Sequence, residues 1–141
     1  MNDQPNTIEI PEEDYLYIDI SQLPDSGKGL YTAIPIYKDE IISYFKGEIL
    51  SDAEAKSRVD QHADQYFINL LDGSIMDSKN IECYAKYAND AQGFSGSDFK
   101  NNVKIGLDEN EAVCLIAVKS LKAGEEIFCS YGKKYWEKQR R

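Results

Sequence analysis

Short apolar runs, each cut off by turn-forming residues, constrain this chain more than any other feature. Residues 15–20 alternate, with Leu16, Ile18 and Ile20 sharing one side of an extended segment. Further runs cover residues 41–45, 66–71, 103–107, 112–118 and 127–131, and Lys38-Asp39, Asp72-Gly73, residues 108–110 and Ala123-Gly124 separate them. None is long enough to be a stable helix, so the pattern specifies strands. The best hairpin signal is Asp72-Gly73, because glycine tolerates the positive φ that tight turns demand. Two segments read as helical. Ser51 with Glu54 forms a potential capping box ahead of residues 52–62, which contain no proline or glycine. Residues 80–88 place Ile81, Tyr84, Ala85 and Ala88 at helical spacing. Residues 92–101 (QGFSGSDFKN) read as an exposed loop. The expected class is mainly β with a few short helices (α+β), in one domain, since 141 residues suffice for a single core.

Composition narrows the function classes. No apolar stretch approaches the roughly 20 residues that cross a bilayer, so no membrane partner is expected. Met1 and its followers lack the basic start and apolar stretch of a secretory signal. Cys83, Cys114 and Cys129 are an odd, widely spaced set, which implies free thiols and an intracellular, reducing setting. With His62 as the sole histidine and no paired cysteines, no metal site is expected. A net charge of −9 argues against a surface that grips nucleic acid and favours a basic partner. An acidic surface that only maintains solubility is the alternative.

Residues 24–29 (PDSGKG) force a turn, and Gly27 and Gly29 leave a backbone that can close around a ligand. Taken alone, an ordinary turn is the better explanation. No third glycine opens a helix, so a dinucleotide fingerprint is absent. The order of later segments adds more: Phe45-Lys46-Gly47-Glu48, then Ile75-Met76-Asp77, then residues 85–91 (AKYANDA), then residues 124–132 (GEEIFCSYG), with Tyr135-Trp136 close behind. From about residue 17 to residue 136 this series resembles the SET domain. In size and in its Tyr-Gly-x-x-Tyr-Trp ending it is similar to minimal stand-alone SET proteins of large DNA viruses.

The resemblance implies a β-clip fold whose C-terminal segment threads under a loop, a connection that periodicity cannot reveal. Its expected extent is residues 15–136, with a flexible N-terminal extension at 1–14 and a basic tail at 137–141. It implies S-adenosyl-L-methionine as methyl donor and a protein lysine as acceptor, the two entering a narrow channel from opposite faces. Tyr131 matches the catalytic tyrosine. Gly27, Lys28, Gly29, Asn89, Asp90 and Trp136 match cofactor-binding positions, and Asn89 suits the amino-acid end of the donor because an amide both donates and accepts. Lys28 either faces the donor carboxylate or is merely solvated, and Trp136 either covers the cofactor or packs in the core. Phe45, Tyr66, Cys129 and Tyr135 match the substrate lysine channel. The implied partner is a basic protein, a histone before others, which would make the setting nuclear. No zinc-binding cysteine clusters flank the domain, so a lid must come from residues 133–141, from the substrate or from a partner subunit, and a homodimer follows from the last option.

Three positions depart from the family. Phe45 stands where a tyrosine is usual, so a hydroxyl near the substrate amine is missing. Asp90 stands where histidine is usual, and Cys129 stands where many relatives carry a larger Phe or Tyr. Phe45 and Asp90 support a second reading, a catalytically weak or inactive SET-like interaction module.

Overall fold

A computed structural model of the chain describes residues 8–70, 72–91 and 99–129. Among the described residues the strands are β1 (Leu16–Ile20), β2 (Lys28–Thr32), β3 (Ile41–Tyr44), β4 (Glu48–Leu50), β5 (Phe67–Asn69), β6 (Ile75–Asp77), β7 (Val103–Leu107), β8 (Val113–Ala117) and β9 (Glu126–Ile127). They form three small antiparallel sheets, ordered β1-β2-β9, β3-β8-β7 and β4-β6-β5. A mainly β architecture follows, as the apolar punctuation requires.

Turn chemistry works where it was legible. β5 and β6 pair from Phe67↔Asp77 to Asn69↔Ile75. Gly73, at φ 91°, closes their loop by donating its N–H to the Leu70 carbonyl at 3.0 Å. Helix α1 (Asp52–Asp60) carries the full capping box, with the Ser51 hydroxyl accepting from Glu54 N and the Glu54 carboxylate accepting from Ser51 N. The helix is pinned to the third sheet by Arg58, whose guanidinium reaches Asp77 at 2.7 Å and Glu48 at 3.0 Å.

One core is shared by all three sheets. Leu30 of β2, Ile42 of β3, Ile68 of β5, Leu115 of β8 and Ile127 of β9 are buried together, with Phe45 beside them. Neither face of a three-residue strand could bury enough apolar area alone, so the sheets depend on one another.

One sequence expectation is corrected, and three others gain detail. Residues 80–88 do not form a helix; only a 3₁₀ turn, Ala85–Tyr87, is present. The ammonium of Lys86 collects the carbonyls of Ser78, Lys79 and Ile81, so the chain curls around a buried cation rather than winding a regular helix. In β1, burial decays along the apolar side from Leu16, 3% exposed, to Ile20, 77% exposed, because an edge strand runs past the core at its far end. In the described part of the N-terminal extension Glu12 accepts from the Ser43 hydroxyl at 2.6 Å and from Tyr44 N at 3.1 Å, and Ile8 packs on the core. In the described part of the run at 127–131 the ladder reaches Ile127 in β9, followed by isolated bridges at Phe128 and Cys129.

Replacing Leu115 with alanine, at a fully buried position in the central strand of its sheet, is expected to cost about 2–5 kcal/mol of stability. Urea unfolding followed by circular dichroism checks it, and Val118→Ala at an exposed position serves as the control.

Candidate functional site

The glycine turn is closed by its own backbone before any ligand is considered. Ser21 N donates to the Gly27 carbonyl at 2.7 Å, and Gly27 takes φ 64°, a left-handed conformation that disfavours any side chain. Next to it, the Asn89 amide donates to the Lys28 carbonyl at 2.9 Å. The third motif and the glycine turn are thereby joined. Between them and the β5 side lies a cleft of about 450 Å³, lined by Ser26, Gly27, Lys28, Gln65, Tyr66, Lys86, Tyr87 and Asn89. That volume suits a small-molecule ligand.

Of the residues singled out in the sequence, Gly27, Lys28, Asn89 and Tyr66 line this cleft. Gly29 has a different task. It is buried in β2, and a Cβ there would overlap the carboxylate of Glu126. Phe45 and Cys129 both belong to the buried core cluster, where they give apolar surroundings to whatever passes them. Asp90 sits behind the cleft, its carboxylate accepting from the Asn101 amide at 3.0 Å. Tyr131, Tyr135 and Trp136 lie outside the described residues.

The C-terminal motif reaches the site by insertion. β9 pairs with β2 through Leu30↔Ile127 and Tyr31↔Glu126. Beyond it, Phe128 bridges Asn89 and Cys129 bridges Val103, both in parallel sense. Cys129 N donates to the Asn89 carbonyl at 2.8 Å, while the Phe128 carbonyl accepts from Asn102 N and Val103 N. The described part of the segment therefore runs in a slot between the third motif and the start of β7.

Sequence reasoning missed Lys86 and Glu126. Lys86 is only 6% exposed, yet its ammonium lies 5.6 Å from the Tyr66 ring centroid and 5.5 Å from that of Tyr87, while pairing with Glu82 at 3.2 Å. This arrangement keeps a positive charge at the back of the cleft against two aromatic faces. Glu82 responds with a carboxyl held below the usual range, chiefly by Lys86 and then by the Tyr87 hydroxyl. A lysine between small residues that read as buried, Ala85 and Ala88, was the available signal.

The chemistry of these groups fits S-adenosyl-L-methionine. Glycine-turn backbone, an amide and tyrosine rings offer partners for an amino-acid end and for a flat heterocycle. A wider cavity of about 570 Å³ shares Tyr87 but is lined by Glu12, Glu13, Ile18, Lys46, Glu82, Cys83 and Tyr84. None of the motif residues named for cofactor or channel lies in it. The smaller cleft is where Gly27, Lys28, Asn89 and Tyr66 meet. Among the described residues no group of three potential metal ligands occurs, and no helix is long and apolar enough to cross a membrane.

The architecture defines a class: small sheets around a C-terminal segment held in a slot, with a glycine turn and an asparagine motif facing one cleft. The SET domain family matches residues 27–132, and the chain belongs to that family. Over 67 residues, 45% of the chain, it is 37% identical to the histone-lysine N-methyltransferase mes-2 of Caenorhabditis elegans, covering 9% of that protein. Among solved structures it is similar to a humanized mutant of the Chaetomium thermophilum Polycomb Repressive Complex 2 bound to an inhibitor, with TM-score 0.67 and 28% identity, over 83% of this chain and 15% of that one. It is also similar to ctPRC2 in an autoinhibited conformation bound to S-adenosylmethionine, with TM-score 0.66 and 27% identity, over 89% of this chain and 17% of that one. The chain thus spans less than a fifth of the length of these relatives.

Two measurements follow from the burial at the site. Burial and then Asp90 push the Cys129 thiol up, and burial and then Asp108 push Cys114 up to about 12. Because the thiolate is the reactive form, a disulfide reagent at pH 8 is expected to label the half-exposed Cys83 quickly in the native protein, with all three thiols reacting only after unfolding. Tyr31 is pushed up to about 12 by burial and then by Glu126. Its folded pKa exceeds the unfolded value, so its share of stability is complete below pH about 10 and disappears as pH rises towards 12. Unfolding midpoints measured between pH 9 and 11 should fall, and less steeply in Tyr31→Phe.

Proposed function

We propose that this chain is an S-adenosyl-L-methionine-dependent protein-lysine N-methyltransferase acting on a histone tail. The observation that carries the reading is the convergence of Gly27, Lys28 and Asn89 on one cleft, with the segment that leads to Tyr131 bonded directly to Asn89. Support comes from the relative described as a histone-lysine N-methyltransferase and from the similar structure described as bound to S-adenosylmethionine. The net charge of −9 suits a basic substrate such as a histone, and a nuclear setting goes with that choice.

Bound S-adenosyl-L-methionine supplies an electrophilic methyl group on a cationic sulfur. The acceptor must be a neutral amine, whereas a free lysine, with pKa about 10.4, is almost wholly charged at neutral pH. Phe45 and Cys129 help to solve this by presenting apolar, buried surroundings, where desolvation lowers an ammonium pKa. The glycine turn and Asn89 orient the donor, and holding both reactants in line removes up to roughly 7–11 kcal/mol of entropic barrier. The Tyr131 hydroxyl is assigned to orient the amine at the point of transfer.

A catalytically weak SET-like interaction module is the second reading. It is favoured by the missing hydroxyl at Phe45 and by the carboxylate at Asp90, which Asn101 holds.

Calorimetric titration with S-adenosyl-L-methionine and labelled-methyl transfer to core histones separate the two readings, since only the enzyme transfers label. Tyr131→Phe is expected to lower turnover by orders of magnitude and to leave donor affinity within a few-fold. Asn89→Ala should instead weaken donor binding. Unchanged turnover in Tyr131→Phe would sink the assignment.

A further inference from the structure

Glu126 is a fully buried carboxylate with polar partners at both of its oxygens. Its Oε2 accepts from the Ser21 hydroxyl at 2.6 Å. Its Oε1 accepts from Gln22 N at 2.8 Å and from the Gln22 side-chain amide at 3.3 Å, and lies 3.2 Å from the Tyr31 hydroxyl, whose one hydrogen is directed at the Ile20 carbonyl at 2.6 Å. The Ser21 hydroxyl is oriented for this task, because it accepts from Leu23 N at 3.2 Å. A carboxylate presents an acceptor oxygen to Ser21 on one side and to Gln22 on the other, where an amide would turn its NH2 towards one of them.

What this carboxylate holds is the entry to the glycine turn. Ser21, gripped through its side chain by Glu126, also donates its own N–H to Gly27, so the two ends of the turn meet at one residue. Space for the carboxylate exists only because Gly29 has no side chain. The Glu126 backbone is fixed as well, paired with Tyr31 across the sheet and accepting from the buried Asn102 amide at 3.0 Å. Glu126 does not line the cleft of about 450 Å³ that Gly27 and Lys28 border.

We propose that Glu126 is a positioning residue: its carboxylate sets the shape of the glycine turn, and donor affinity depends on it although it never touches the donor. The proposal rests on the reading of that cleft as the S-adenosyl-L-methionine site. It also couples the two halves of the reaction, because the same residue begins the segment that leads to Tyr131.

The test uses the full chain carrying Glu126→Gln, nearly identical in shape, with Ser21→Ala as a second variant that keeps the carboxylate and removes one donor. S-adenosyl-L-methionine affinity is measured by calorimetry at a temperature where each variant is folded, together with KM for the donor and for a histone peptide, and with amide hydrogen exchange. The expected result for Glu126→Gln is donor affinity at least tenfold weaker, peptide KM within about threefold, and faster exchange confined to residues 21–29. Ser21→Ala should shift the same quantities less. Donor affinity within twofold of the parent, or a lowered melting temperature with exchange raised evenly over all three sheets, overturns the proposal. If the parent chain binds no donor, the reading of the cleft fails on its own, and exchange at residues 21–29 then decides: unchanged exchange in Glu126→Gln overturns the positioning role, and a local rise upholds it.

Discussion

Four consecutive residues, 126–129, are bonded to parts of the chain that lie far away in sequence, and the rest of the architecture depends on that insertion. Glu126 and Ile127 complete the first sheet, while Phe128 and Cys129 join Asn89 to Asn102 and Val103. Asn102 is the clamp: buried, it donates its amide to the Glu126 carbonyl and accepts from Phe128 N through its side-chain oxygen. A buried strand surrounded by loops cannot leave backbone groups unmatched, and here the matching is done by side-chain amides where no regular ladder is available.

Charge is buried in the same economical way. Lys86 is satisfied by three carbonyls, a carboxylate and two aromatic faces. Asp77, fully buried, meets the Arg58 guanidinium and the Lys79 N–H. Each group would be strongly unfavourable if stripped of its partners. Each also fixes a turn or a helix against a sheet, so the polar interior specifies geometry that apolar packing between such short strands would leave loose.

The parts of this fold that were legible in the sequence are those decided locally. Asp72-Gly73 and the Ser51/Glu54 box each act within a few residues, and both form as their chemistry dictates. Residues 80–88 misled because helical spacing counts apolar side chains and cannot register that a lysine will draw three carbonyls inward. Gly29 was legible as a necessary glycine but not for its reason, which is a carboxylate 97 positions further along the sequence. The motif order identified the family, while the meeting of Gly27, Lys28, Asn89 and Tyr66 at one cleft is seen only in the structure. Nothing in spacing could show that Glu126 holds Ser21 and Gln22 at the entry to the glycine turn, since those bonds exist only after the chain has folded back on itself.

The three sheets close over very different spans of chain. β4, β5 and β6 are drawn from residues 48–77, β3, β7 and β8 from residues 41–117, and β1, β2 and β9 from residues 16–127. During synthesis all the strands of the β4-β6-β5 sheet have been made while the ribosome is still reading the remainder, but the sheet that carries the glycine turn has to wait for its last strand. Nascent protein therefore leaves the edge of β2 without its β9 partner until residue 127 has been made, and the sheet beside the glycine turn is the last to close.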